Sequence, residues 1–211
     1  GSSPGMYQIV TGSDGALTIE DATHTNGVAV LRASNGNGSD NEYGGLAMGL
    51  NWRGEQNAVC YARIQLDAVA TTKVEFGFTD AVGDAGAVNS LASNSFTATD
   101  AAVWVFDTDD TANFQFAAAD GGTAITKIEA GNAFAATTWY TLMVQLEGGR
   151  ARGLRFNAAV GLVEDTGFQP AAISDDVDLT PWLFVQLRTG TLDRNVSIDH
   201  WGAYQRRSSS N

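Results

Sequence analysis

Between Trp139 and Phe156 apolar and polar residues alternate with a period of two. Tyr140, Leu142, Val144 and Leu146 fall on one side of an extended chain, and Thr141, Met143, Gln145 and Glu147 on the other. That is strand periodicity, with one packed face and one wetter face. Gly148-Gly149 suits the positive φ angles of a tight turn. The chain then returns with Leu154 and Phe156 opposite Arg155. A hairpin with one apolar face does not stand alone in water, so the rest of the chain must supply a sheet and a second layer.

The same alternation recurs. It predicts strands at Tyr7–Val10, Ala16–Ile19, Val28–Arg32, Ala58–Leu66, Lys73–Thr79, Ala101–Phe106, Ala112–Ala117, Ala124–Ile128, Leu183–Arg188 and Asn195–Tyr204. From Leu46, Met48, Leu50 and Trp52 alternate with Ala47, Gly49 and Asn51. In the last strand Val196, Ile198, His200 and Tyr204 share a parity, opposite Asp199, Trp201 and Ala203. Ala33–Asn41 reads as a surface loop. Asp80–Thr99 is a long Gly-, Asn- and Ser-rich connection, which a short helix around Ala87–Leu91 would shorten. Roughly eleven to fourteen short strands and no long helical pattern predict an all-β sandwich or jelly roll.

The 211 residues, 44% of them hydrophobic, suffice for one large β domain, expected over residues 6–204. Gly1-Ser-Ser-Pro-Gly5 before Met6 reads as the remnant of an expression tag, and residues 205–211 as a polar tail. A net charge of −12 argues against partners that attract cations, namely nucleic acid and anionic membranes. No apolar run has the length of a membrane helix. The single cysteine, Cys60, lies in a strand-like run and reads as a buried, inert thiol.

Candidate chemistry is sparse. Glycoside hydrolysis needs two carboxylates facing one bond, and Glu75, Glu147 and Asp199 each stand alone on their strands. Glu147 with Asp199 is the pair to test, against the plainer reading of solvated strand-face acids. The two histidines, His24 and His200, form no metal motif, and His200 reads as a partly buried, hydrogen-bonded residue. Asp107, Asp109 and Asp110 share one turn and are weak calcium candidates, calcium being the one cofactor considered. Phe184 and Trp201 oppose their strands' core parity. With Arg188 on the Phe184 face, they are candidates for an interface, a further layer or a glycan platform. Arg150, Arg152 and Arg155 are expected to pair with acids on a neighbouring strand or subunit.

Val74-Glu-Phe-Gly-Phe-Thr-Asp80, Trp139-Tyr-Thr-Leu-Met-Val-Gln-Leu146, Gly153-Leu-Arg-Phe-Asn157, Leu179-Thr-Pro-Trp-Leu-Phe-Val-Gln-Leu187 and Val196-Ser-Ile-Asp-His-Trp201 together resemble a phage structural protein with a concanavalin-like (lectin/glucanase) jelly roll. The resemblance covers residues 42–204. It implies a concanavalin A-like sandwich of two antiparallel sheets. It also implies a non-enzymatic virion protein on the capsid surface or in a fibre, bound to itself, as a trimer for example, and to the major capsid protein. The alternative is a carbohydrate-binding module or lectin using Trp201 or Phe184 with Arg188. A third reading is a glycan hydrolase or lyase on the same fold. The Glu-x-Asp-x-x-Glu strand of similar glucanases is missing here.

Overall fold

A computed structural model describes residues 7–20, 28–34 and 40–206. Residues 1–6 (expected to include a tag remnant), His24, residues 35–39 of the expected surface loop and residues 207–211 of the expected tail lie outside the described residues.

The chain forms strands throughout. The first eight are β1 (Gln8–Thr11), β2 (Ala16–Glu20), β3 (Val28–Arg32), β4 (Tyr43–Ala47), β5 (Val59–Leu66), β6 (Thr72–Thr79), β7 (Val88–Ser90) and β8 (Ser95–Phe96). Then follow β9 (Ala101–Asp107), β10 (Thr111–Asp120), β11 (Thr123–Ala133), β12 (Tyr140–Glu147), β13 (Arg150–Asn157), β14 (Gly161–Asp165), β15 (Thr180–Leu187) and β16 (Asn195–Tyr204). One seven-stranded sheet runs β1-β4-β15-β6-β9-β10-β11, and a second runs β14-β13-β12-β5-β16-β3-β2. Both are antiparallel throughout and stack as a jelly-roll sandwich, as the periodicity predicts.

The core lies between the sheets. Phe76, Phe78, Trp104, Phe116, Leu183 and Val185 of the first sheet meet Leu31, Ile64, Leu142, Val144 and Val196 of the second. Burying each such side chain contributes about 1.5–3 kcal/mol. The Trp104 indole N–H donates across the gap to the Met143 carbonyl at 3.2 Å, so this large ring leaves no polar atom stranded. In β13 the inward side is that of Ala151, Gly153 and Arg155, rather than that of Leu154 and Phe156. A Cβ on Gly153 would stand 2.6 Å from Phe116 Cδ2 and 2.8 Å from Trp104 Cε2, so bulky rings opposite select glycine there. Arg155 reaches the sandwich edge, where it donates to the Asn132 carbonyl at 2.7 Å and sits over the Tyr140 ring.

A third, partial layer covers the outer face of the first sheet. The connection expected to be a loop with a short helix folds as the β7–β8 ribbon. Its Ala87, Val88, Leu91 and Ala98 pack on Ala101, Val103, Val105 and Ala117. Alternation at β9 thus has two apolar parities, because both faces of the strand are covered.

Candidate functional site

The covering layer is fastened by a buried ion pair. Lys73 and Glu75 stand two residues apart on β6, facing outward beside Phe184 of β15. Their side chains are fully buried, 2.8 Å apart. The Glu75 carboxylate accepts the Ala87 and Val88 backbone N–H groups at 2.6 and 2.9 Å and the Trp182 indole N–H at 3.1 Å. Lys73 donates to the carbonyls of Ala85 and Val88. Buried charges persist only when paired and fully hydrogen-bonded, and here these bonds fix where residues 85–88 lie.

The positioned segment forms one wall of a polar cleft. The cleft has a volume of about 260 Å³ and is lined by Asn41, Asp84, Ala85, Asn89, Gln186 and Arg188. The Gln186 amide donates to the Asp84 carbonyl at 2.7 Å and its oxygen accepts from Arg188 at 3.2 Å. Arg188 grips Asp107 through two guanidinium nitrogens, the Nε contact being 2.9 Å. Burial opposes the Arg188 cation, yet the hydrogen bond and charge of Asp107, helped by Asp109 and Glu75, leave its pKa raised. Tyr43 stands nearby, 5.9 Å from Phe184 between ring centroids. Burial first, then the charges of Asp84 and Glu42, push its pKa up, so the phenol keeps its proton and can donate.

The sequence-selected residues separate. Arg188 lines the cleft. Phe184 faces away from the inter-sheet core, as parity predicts, but it is fully buried against Trp182 and Ala47 with Val10 and Tyr43 around them. It lies on the outer face of the first sheet, closed off from solvent, and offers no platform.

Trp201 corrects the parity reading outright. Ile198 pairs with Ile64 but His200 pairs with Arg63, leaving Asp199 as an extra, bulged residue. A bulge shifts every later side chain to the other face. Trp201 and Ala203 therefore pack on the core, while His200 and Tyr204 turn outward. His200, expected to be partly buried, is half exposed beside Tyr61, with Nδ1 3.6 Å from the Asp199 carboxylate.

The aspartate turn is not a metal cage. Asp107 is held by Arg188, and Asp110 accepts from Gln115 at 2.9 Å and Lys127 at 3.2 Å. Asp109 lies 3.6 Å from Arg188. Among the described residues no group of three His, Cys, Asp or Glu side chains is arranged to hold a metal ion.

Glu147 pairs with Arg150 across its turn, and Asp199 with Arg63. Register places the two acids about 20 Å apart along the second sheet, too far to share a bond. The arginine cluster does pair with neighbouring strands: Arg150 with Glu147, Arg152 with Asp165, and Arg155 with Glu164. Burial pushes the Cys60 thiol well up, as expected of an inert core cysteine.

Neither the family models nor the curated proteins contain a match to this chain. Solved structures do match in fold. A protein of unknown function from Shewanella oneidensis MR-1 is similar with a TM-score of 0.68 and 13% identity, over 98% of this chain and 81% of that one. The exoplasmic/lumenal domain of VIP36, in a Ca²⁺/Man3GlcNAc-bound form, is similar with a TM-score of 0.59 and 10% identity, over 98% of this chain and 86% of that one. Family 7 alginate lyase A1-II′, in complex with product, is similar with a TM-score of 0.55 and 10% identity, over 87% of this chain and 82% of that one. The fold is a concanavalin A-like jelly roll.

Two expectations are corrected by these matches. The sequence suggested a phage structural protein, whereas lectins and a polysaccharide lyase share this architecture and nothing ties the chain to phage capsids. A strictly non-enzymatic role also loses its basis, because alginate lyase structures cover most of the chain. At these identities the likeness is one of fold, and any site must be argued from this chain's own residues.

Proposed function

We propose that the protein binds carbohydrate in the cleft formed by Asn41, Asp84, Asn89, Gln186 and Arg188. The observation that carries this reading is the density of positioned polar groups in a cleft of about 260 Å³. Two asparagines, a glutamine, a carboxylate and a guanidinium offer donors and acceptors side by side, matching the paired donor and acceptor character of adjacent sugar hydroxyls. Gln186 is preorganised by its bonds to the Asp84 carbonyl and Arg188, which lowers the ordering cost of binding. Tyr43, protonated, adds a donor near Asp84. The fold shared with a glycan-bound VIP36 domain and with alginate lyase supports this reading.

The test is a glycan array followed by calorimetry on the hits, run with Asp84→Ala and Gln186→Ala variants. Saturable binding weakened by both substitutions is expected. Binding that survives both unchanged would move the site elsewhere. Product release assayed on the same glycans separates a lectin from a polysaccharide-cleaving protein.

A further inference from the structure

A second cleft, of about 330 Å³, lies at the same end of the first sheet and is lined by Val69, Ala70, Thr71, Thr108, Asp109 and Thr111. The Arg188–aspartate junction links the two. Arg188 lines the first cleft, Asp109 lines the second, and Arg188 Nε stands 3.6 Å from the Asp109 carboxylate. Arg188 also joins them through its backbone, whose N–H donates to the Thr71 carbonyl at 2.8 Å.

The second lining is built rather than incidental. Thr71 holds a φ of +51°, a left-handed conformation that a β-branched residue rarely adopts. The buried Arg194 guanidinium supports it, donating to the Ala70 carbonyl and to Thr71 Oγ1 at 2.6 Å each. Thr108 is fixed by reciprocal bonds with Thr72, at 2.9 and 3.1 Å. Backbone held in sparsely populated regions clusters at ligand sites.

We infer that the two clefts are adjacent subsites for one uncharged oligosaccharide, which crosses the Arg188–Asp109 junction. The inference rests on the carbohydrate reading of the first cleft and extends it. Val69 and Ala70 beside three threonines and a carboxylate give the second cleft an apolar side and a hydroxyl-binding side, the two surfaces a sugar ring presents. Electrostatics select the uncharged class. Asp107 offsets Arg188, so Asp84 and Asp109 leave the combined site anionic on a chain of net charge −12. A chain of uronic acids would meet like charge along this path.

Calorimetry tests it with methyl glucoside, methyl galactoside and methyl mannoside, their uncharged di- and trisaccharides, and a trisaccharide of uronic acids. The expected result is a gain of roughly tenfold in affinity from one sugar unit to two, with the uronate trisaccharide weakest. Val69→Trp, which fills the second cleft, should abolish the gain and leave monosaccharide affinity unchanged. Asp109→Asn gives a second reading if bulk at position 69 disturbs folding, and should reduce the gain. Monosaccharide binding with no gain on lengthening, or a gain that both variants keep, overturns the second subsite alone. Tighter uronate binding overturns the uncharged class. Failure of every sugar to bind overturns the carbohydrate reading and this inference with it.

Discussion

Lys73 and Glu75 form an ion pair of 2.8 Å with neither side chain reaching solvent, on the outward face of a strand whose inward face is core. Glu75 alone takes up two backbone N–H groups of the covering segment and one indole N–H. The pair is thus the joint between the sandwich and its third layer. Removing one partner of a buried pair strands the other, at a cost of about 3–5 kcal/mol. Glu75→Ala should lower unfolding stability by that amount in urea titrations and raise amide exchange at Ala87 and Val88. A change within about 0.5 kcal/mol, the range of ordinary surface substitutions, would show that the joint is not needed.

Trp182 depends on a missing side chain. A Cβ on Gly45 would lie 2.4 Å from its Cη2 atom. Gly45→Ala should overpack the outer face of the first sheet and cost about 1–3 kcal/mol, read as a lower Tm. It should also displace Trp182 from Glu75, visible as a change in near-ultraviolet circular dichroism.

The Asp199 bulge makes an unusual forecast. Replacing the residue removes a surface ion pair with Arg63, and exposed pairs contribute about 0–1 kcal/mol. Deleting it removes the bulge and leaves Ile198, His200 and Trp201 in regular alternation, with Trp201 and Ala203 still opposite Ala62 and Cys60 on the core side. Asp199→Ala and the single-residue deletion should therefore both keep a cooperative unfolding transition. Loss of cooperative unfolding in the deletion alone would refute the register.

Strand existence was legible because each strand packs at least one face, and that writes a period of two into the sequence. Lys73 and Glu75 were not legible as core, since charges on an outward strand face ordinarily meet water. The long Asp80–Thr99 segment, which had to pack somewhere, and Phe184 opposite its strand's core parity hinted at a cover. The shared parity of Lys73, Glu75 and the strand-paired Phe184 was the signal to follow. The bulge was hidden for a different reason: one extra residue leaves no compositional mark, so parity counted through Asp199 assigned Trp201 and His200 to the wrong faces. Arg188 was found from sequence. Its cleft partners Asn41, Asp84 and Asn89 come from distant loops that only the sheet order brings together.

Asp165 offers a pH test. Its hydrogen bonds from Arg152 and then from the Gly167 N–H lower its pKa to about 2, from 3.8. A depressed carboxylate contributes stability above its unfolded pKa, and that contribution is lost as pH falls from about 4 toward 2. The pair is partly exposed, so the amount is about 1 kcal/mol or less. Carboxyl NMR should give a midpoint near 2 in the wild type. Arg152→Ala should raise it and flatten the acid limb of the stability curve.

The most direct test of the central claim is calorimetric titration of the wild type and Gln186→Ala with a glycan selected on an array. The account predicts one saturable site in the wild type and a loss of roughly tenfold or more in the variant, about 1.4 kcal/mol, for a preorganised hydrogen-bonding residue. Equal affinity in the two proteins, or no glycan bound at all, would contradict it.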